Sequence, residues 1–487
     1  MNKRIIFSLL FFVVGLLIWV PSSDIVKLII ANEEILLGRY SRSQFAISFV
    51  LTVMLWIAAA IIACARDRPL SERIFALLMI YISSGLSVFV LVVASGFLAQ
   101  PRYIEQEVHG VDADTGIPLA GIIRHRPPNE RYDLLQKDVP EQLRSYPDAP
   151  AGYPEFSLVL TSDTRGFRNQ EACNPCDIEI IGDSFVAGSQ VSDDQVWTEL
   201  VRKRIDKSLY NLGVAGTDPL EYLNNFVILG RDLKPKRVIV TIYEGNDFRN
   251  APSLPLPSAK PEAISRKQAS YRMSVSEMAK ASPVTAGLRR FATEVLAKIN
   301  HDKPVPSYKE KVGFMPLALP VPHGMQYYSF DPKRLIYLNV TEKEFVESSD
   351  WLNVRAVLDK FVMLSKKDGF SLTFVYAPST PHVVMPLLKD SIPADQLLRF
   401  MRYKNKKIKT DNAEALKQQV FANLDSTENV MLAWCEQNKI DCISTTDALR
   451  KATAEGEQTY YSYDQHWTPK GNVVVAGVVG DYLMQKE

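Results

Sequence analysis

DIEIIGDSFVAG, residues Asp177–Gly188, is a short apolar run broken by a polar turn. Ile178–Ile181 reads as a buried strand. Gly182 and Asp183 end it, Ser184 stands at the break, and Phe185–Gly188 begins either a helix or a tight loop. In open α/β sheets, sites form in the crevice beyond the carboxyl ends of the strands, so a serine here is placed for chemistry. Gly182 lets the backbone turn sharply, and a backbone N–H near Ser184 is placed to face a developing oxyanion. Three letters, GDS, equally describe an ordinary strand–turn–helix junction, so the rest of the chain must decide.

Downstream, a helix is expected over Gln195–Lys207 and a strand over Leu209–Leu212 that runs into the turn Gly213–Thr217. A helix over Glu221–Gly230 and the strand Arg237–Tyr243 (RVIVTIY) follow, ending in Glu244-Gly245-Asn246-Asp247. Strand, helix, strand, helix, strand at this spacing predicts parallel βαβ units, with the polar turns gathered at one sheet edge. Residues 249–349 interrupt the pattern. They are proline-rich, with a basic helix-like piece over Leu288–Asn300 and the aromatic cluster Tyr327-Tyr328-Ser329-Phe330. They read as an insertion covering or flanking the site, the aromatics as packing before a sugar platform. The pattern resumes with a helix over Trp351–Asp368, a strand over Ser371–Ala377, a mostly helical Ala413–Gln437 and a fifth strand over Lys439–Ser444. A last helix spans Thr468–Gln485, with Thr468 as cap and Pro469 as first helical residue. Residues 101–172, rich in Pro, Arg and Asp, form a lead-in that packs against the main sheet.

Just before the last helix lies Tyr463-Asp464-Gln465-His466-Trp467. In an extended segment, side chains two apart point the same way. Asp464 would then hold the His466 ring in one tautomer while the other nitrogen takes the Ser184 proton. Serine hydroxyl is a poor nucleophile without such a base. The plainer alternative is a helix-capping or surface histidine. His382, after Ser379-Thr380-Pro381, reads as an ordinary loop histidine, with a residue bordering the site as the alternative, and His109, His125, His301 and His323 receive no role. Glu244 either tunes the pocket or faces solvent.

The chain has 487 residues and a net charge of +1, which leaves no footprint for nucleic acid. No cofactor or metal motif stands out. Three apolar runs, Ile5–Val20, Phe45–Ala65 and Ile74–Ala99, are each read as a membrane span. Lys3, Arg4, Arg66, Arg68 and Arg73 then share the cytoplasmic side, and everything after Gln100 lies beyond the bilayer. Four of the five cysteines, Cys173, Cys176, Cys435 and Cys442, fall in that exported part, where disulfides persist. Cys173 and Cys176 suit a small loop, Cys435 and Cys442 flank a helix-to-strand turn, and the other two connectivities stay open.

Taken together, four segments resemble the SGNH (GDSL) hydrolase family. Gly182-Asp183-Ser184-Phe185 is similar to its first block, Asn211–Thr217 to its second, Asn246-Asp247 to its third, and Asp464 with His466 to its last. The resemblance implies a flavodoxin-like three-layer α/β fold with a parallel sheet, here behind a three-helix membrane region at residues 1–100. It implies a catalytic domain over 173–487, with Ser184 as nucleophile, His466 as base and Asp464 as its orienter. The backbone of Ser184 and Gly216 and the amide of Asn246 would form the oxyanion hole. Two departures stand out: Glu244 replaces the usual glycine of the third block, and the last block is D-x-H, not D-x-x-H. D-x-H followed by Trp resembles enzymes that O-acetylate alginate and related exopolysaccharides. That likeness implies an acyl-ester donor, a polysaccharide acceptor, and a membrane-bound O-acyltransferase as partner at the inner membrane, with the C-terminal domain in the periplasm or outside the cell. A plain esterase and a non-catalytic glycan-binding scaffold are the rival readings.

Overall fold

The computed structural model describes residues 3–17, 35–36, 40–64, 69–97, 103–140, 149–254, 264–268, 315–330, 339–404 and 408–486. The helix-like piece expected over 288–300, His301, and the loop carrying Arg66, Asp67 and Arg68 lie outside them. The chain divides into two compact units, residues 1–100 with 272–305, and residues 101–271 with 306–487.

In the first unit, α1 (Lys3–Leu17) packs on α2 (Arg42–Cys64), and α3 (Leu70–Phe97) follows. The Thr52 hydroxyl donates to the Gly15 carbonyl at 2.9 Å and the Ser8 hydroxyl to that of Ala59 at 2.8 Å. Many large apolar side chains face outward, Leu9 at 60% and Phe75 at 64% exposure among them. Among the described residues, however, no helix is long and apolar enough to cross a membrane. The expectation of three spans therefore finds no support here.

The second unit is built on a five-stranded sheet. Four lead-in strands precede it: β1 (Ile104–Val111), β2 (Pro118–His125), β3 (Arg131–Gln136) and β4 (Phe156–Thr161). Then come β5 (Ile178–Ile181), the one-turn helix α4 (Ser184–Ala187), α5 (Trp197–Arg204), β6 (Leu209–Asn211), α6 (Pro219–Asn225) and β7 (Arg237–Tyr243). The short strand β8 (Ser265–Gln268) pairs with β1, and β9 (Met315–Val321) forms a hairpin with β10 (Gly324–Phe330). The sheet is completed after α7 (Ser349–Asp368) by β11 (Ser371–Ala377), α8 (Ser426–Asn438), β12 (Asp441–Ser444) and the last helix α9 (Pro469–Gln485). Its order is β12-β11-β7-β5-β6, with every pairing parallel. Counted in chain order this is 2-1-3-4-5, the flavodoxin-like arrangement, whose switch point lies between β5 and β7.

Both sheet faces are covered, so the strands read as continuous apolar runs instead of alternating ones. Ile178, Ile180, Ile239 and Val375 share a core with Trp197 and Val201 of α5 and Val475 and Val479 of α9. Ile181, Val240, Ile242 and Phe374 share the other with Leu223 of α6, Phe361 of α7 and Met431 of α8. Helix α9 begins as its sequence demands: Pro469 lacks the N–H that would be orphaned there, and the Thr468 hydroxyl accepts from Gly471 N–H.

Several boundaries differ from expectation. The helix expected over 195–207 is shorter, because Ile205 turns extended to enter β6. Residues 413–437 form two helices, Ala413–Ala422 and α8, broken at Asn423. Residues Ala394–Lys404 and Thr446–Ala454 form helices that no segment above anticipated. Tyr328 and Phe330 of the aromatic cluster are fully buried, and Ser329 N–H donates to the Ser462 carbonyl at 2.8 Å, so hairpin β9–β10 buttresses the loop before α9. Cys173 and Cys176 form a disulfide, whereas Cys435 and Cys442 are free thiols.

Candidate active site

Ser184 opens α4 at the carboxyl end of β5. The Asp183 carboxylate caps that turn, accepting from Phe185 N–H at 2.9 Å. Asp183 is buried, and burial raises its carboxyl above the ordinary range. The turns after β5 and β6 approach too closely for side chains. A Cβ on Gly182 would stand 2.5 Å from Val186, and one on Gly213 2.6 Å from the Ala187 nitrogen. Val214 N–H donates to the Gly182 carbonyl at 3.0 Å and locks the two turns together.

His466 arrives on the loop 459–468. The loop is closed by Thr468 N–H donating to Thr459 O and Tyr461 N–H donating to His466 O, each at 3.0 Å. At its tip Gln465 has φ +67°, a left-handed conformation that L-residues resist. The Asp-x-His segment is therefore not extended, which corrects the two-apart geometry expected above. The kink itself turns the two side chains together. Asp464 Oδ1 accepts from the His466 backbone N–H at 3.3 Å and pairs with His466 Nδ1. His466 Nε2 lies 2.8 Å from Ser184 Oγ. The Phe185 ring packs beside the imidazole at 4.8 Å and takes Trp467 edge-on at 4.7 Å. The His466 and Asp464 side chains remain 21% and 29% exposed, so the contact faces solvent.

The other two assigned residues sit in the turns at the same sheet edge. Gly216, after β6, has φ +80°, and its carbonyl accepts from Arg124 at 3.2 Å. Asn246, after β7, donates from Nδ2 to Asp247 Oδ1 at 3.0 Å and shares a hydrogen bond with Asp183. Asp247 is fully buried, and burial followed by the nearby Asp183 charge raises its carboxyl well above the usual range. The structure thus joins Ser184, His466 and Asp464 by direct contact, and it aims the Asn246 amide at two acids.

Glu244 does not face solvent, and His382 is no loop histidine. His382 lies in the short helix Thr380–Val384, fully buried, with Nδ1 2.9 Å from Glu244 Oε1 and Nε2 2.8 Å from Asp425 Oδ1. Glu244 also accepts from Tyr376 OH at 2.8 Å, Ser379 N–H at 2.8 Å and Thr427 OH at 3.0 Å. His382, Asp425 and Glu428 are the group among the described residues close enough to share a cation. Both ring nitrogens are already engaged by carboxylates, and Arg450 stands 3.4 Å from Asp425, so protein cations occupy that role. Asn472 has no role in the sequence reading above, yet its Oδ1 accepts from Trp197 N–H at 3.0 Å and its Nδ2 donates to Trp467 O at 3.3 Å, fastening α5 to the loop. The signal was a polar residue inside the apolar stripe of α9.

A family model described as the SGNH hydrolase-like domain of the acetyltransferase AlgX matches residues 404–487, which hold Asp464 and His466 but not Ser184. No curated protein matches the chain. Among solved structures, a lipolytic protein of the G-D-S-L family from Veillonella parvula is 10% identical, with 62% of this chain and 95% of that one covered at a TM-score of 0.27. A catalytic mutant of an acetylxylan esterase from Geobacillus stearothermophilus is 10% identical, with 64% and 94% covered at 0.26. A GDSL-like lipase from Bacteroides thetaiotaomicron is 9% identical, with 64% and 90% covered at 0.26. At such TM-scores the strand order, not these likenesses, identifies the architecture. The chain is similar to SGNH hydrolase-like enzymes of the acyl hydrolase or acyl transferase class, through the stretch 404–487 that resembles the AlgX acetyltransferase domain and through the contact of Ser184 with His466 and Asp464.

Proposed function

We propose that the chain is a membrane-anchored, extracytoplasmic O-acetyltransferase that acts on hydroxyls of a cell-surface or secreted polysaccharide. The observation that carries the chemistry is the unbroken contact from Ser184 through His466 to Asp464. Ser184 Oγ attacks the carbonyl carbon of an acyl ester while His466 Nε2 takes its proton, and Asp464 keeps Nδ1–H in place and stabilises the imidazolium. Backbone N–H groups of Ser184 and Gly216, with the Asn246 amide turned from its acids, receive the oxyanion. As the C–O bond breaks, the imidazolium returns its proton to the leaving alcohol and the acyl group stays on Ser184. A sugar hydroxyl then gives its proton to His466 and attacks the acyl-enzyme carbonyl; the bond from the acyl carbon to Ser184 Oγ breaks, the imidazolium returns the proton to Oγ, and the sugar leaves as the new ester.

Attachment at the inner membrane rests on the three uncharged runs before residue 100 and on the outward-facing apolar side chains of α1 to α3. An acetyl donor presented by a membrane-bound O-acyltransferase fits that placement. The second reading, an esterase, draws on the solvent exposure of His466 and Asp464, which admits water as acceptor. Supplying the purified protein with an acetyl ester, with and without oligosaccharide, separates the two by mass spectrometry. Acetylated sugar is the expected product, and acetate alone, whatever sugar is present, would leave the esterase. A glycan-binding scaffold would keep its cellular phenotype in Ser184→Ala.

A further inference from the structure

Residues 103–140 precede the sheet, yet one of their side chains reaches the tip of the loop that carries His466. Asp138 is 4% exposed. Its Oδ2 accepts from Ser462 N–H at 2.8 Å and its Oδ1 from Tyr463 N–H at 2.9 Å and Asp464 N–H at 3.0 Å. Tyr153 N–H adds a fourth bond, to Oδ2 at 2.7 Å. Three consecutive N–H groups converging on one carboxylate form an anion-binding concavity of the backbone. The segment before Tyr153 is shaped around it: a Cβ on Gly152 would stand 3.3 Å from Asp138 Oδ2 and 2.4 Å from the Val139 side chain.

What these bonds hold is the peptide that bears Asp464, next to the left-handed Gln465. Strained backbone persists only where its surroundings over-determine it. Hydrogen bonds to an ionised acceptor are about twice as strong as neutral ones, so this carboxylate is suited to the task. Its partners are backbone groups, so the anchor does not depend on which side chains the loop carries.

We propose that Asp138 is a positioning residue for acyl transfer. By binding the successive N–H groups of Ser462, Tyr463 and Asp464, it fixes the Asp464 carboxylate against His466. The lead-in is then part of the working site, not a support for it. This inference rests on the acyl-transfer reading above.

The test uses full-length protein and p-nitrophenyl acetate as the acyl donor. Asp138→Asn is nearly isosteric but turns an NH2 group toward N–H donors. It is expected to lower kcat about 10- to 100-fold with KM held within about twofold, since small misplacements of a reacting group cost that much. In an Asp464→Asn background the same change is expected to cost less than about threefold, because residues acting as one unit are non-additive. Asp138→Ser, which admits water into the vacated space, is the second variant should Asp138→Asn not fold by circular dichroism, and it is expected to behave alike. Wild-type kcat in a folded variant, or full additivity with Asp464→Asn, would overturn the positioning role. Ser184→Ala separates the two failures. If it abolishes turnover while the Asp138 variants are normal, only the positioning role falls, and if it keeps turnover, the acyl-transfer reading falls and takes this role with it.

Discussion

His466 and His382 each present Nδ1 to a carboxylate, Asp464 for one and Glu244 for the other. They differ at Nε2. His466 meets the Ser184 hydroxyl at 2.8 Å, whereas His382 meets Asp425 at 2.8 Å with Glu428 at 3.6 Å. Burial opposes a charge on His382, but Glu244 and Asp425 outweigh it and hold the imidazole up to about 10. Flanked by acids on both sides, that ring keeps both protons at neutral pH and has no lone pair to accept another. His466 instead presents Nε2 to an alcohol, the proton donor that a general base serves. The second partner, not the first, separates a general base from a structural cation.

The comparison breaks most visibly at the serine. Ser184→Ala is expected to lower kcat by about ten-thousand-fold or more, as does His466→Gln, because nucleophile and base act as one unit. His382→Gln should leave kcat of the folded fraction within about tenfold, since a lost structural ion pair is felt in stability first. Steady-state kinetics on a chromogenic acetyl ester checks all three, and a His382→Gln enzyme as dead as His466→Gln would erase the distinction. Asp464→Asn comes next. An amide at Nδ1 favours the wrong tautomer, and a loss of about a thousand- to ten-thousand-fold in kcat is expected.

How much of this could be read beforehand depended on how local the signal was. Strands β5, β7 and β11 were visible because a strand buried on both faces is one apolar run. Ser184, Asp464 and His466 stood out as residue types at breaks, although Ser184 and His466 are 282 positions apart. The left-handed Gln465 was not visible, since glutamine gives no hint of positive φ. Asp138 was invisible for a different reason: its partners are backbone N–H groups, which every residue carries. Glu244 and His382 misled because polar residues after a strand usually face water, and only the packing of α8 and the helix Thr380–Val384 over the sheet buries them as a pair.

That pair yields the next effect. Glu244→Gln leaves a buried imidazolium without its main counter-charge, expected to cost about 3–5 kcal/mol in urea unfolding near neutral pH. Burial would raise the Glu244 carboxyl, but His382 outweighs it and holds it at about 2, against an ordinary 4.5. Its contribution is therefore present above 4.5 and lost as pH falls through 2. His382, ordinarily 6.5 and raised to about 10, contributes fully below 6.5 and loses that contribution as pH rises through 10. The deficit of the variant should thus be largest between these limits and shrink toward either extreme. A deficit that stays flat across the whole range would mean that the two groups are not an ion pair.

Glu179 sharpens the same point because, among the described residues, no cation is bonded to it, Arg165 lowering its carboxyl only through its charge and by less than burial raises it. It lies in β5, fully buried, and neither carboxyl oxygen has a hydrogen-bond partner among the described residues. Burial pushes its carboxyl from 4.5 up to about 8. The unfolded chain therefore ionises from about 4.5 while the folded chain keeps its proton to about 8, so stability is greatest below the first value and falls through the interval. The expected slope is about 1.4 kcal/mol per pH unit, levelling off above the folded value. Glu179→Gln keeps the shape, stays neutral and should remove that slope, whatever it does to stability at any one pH. Unfolding midpoints of both proteins at several pH values between about 5 and 8 decide it. Parallel curves for wild type and variant would show that Glu179 is already ionised in the fold, and that a buried acid here needs no imidazolium to carry its charge.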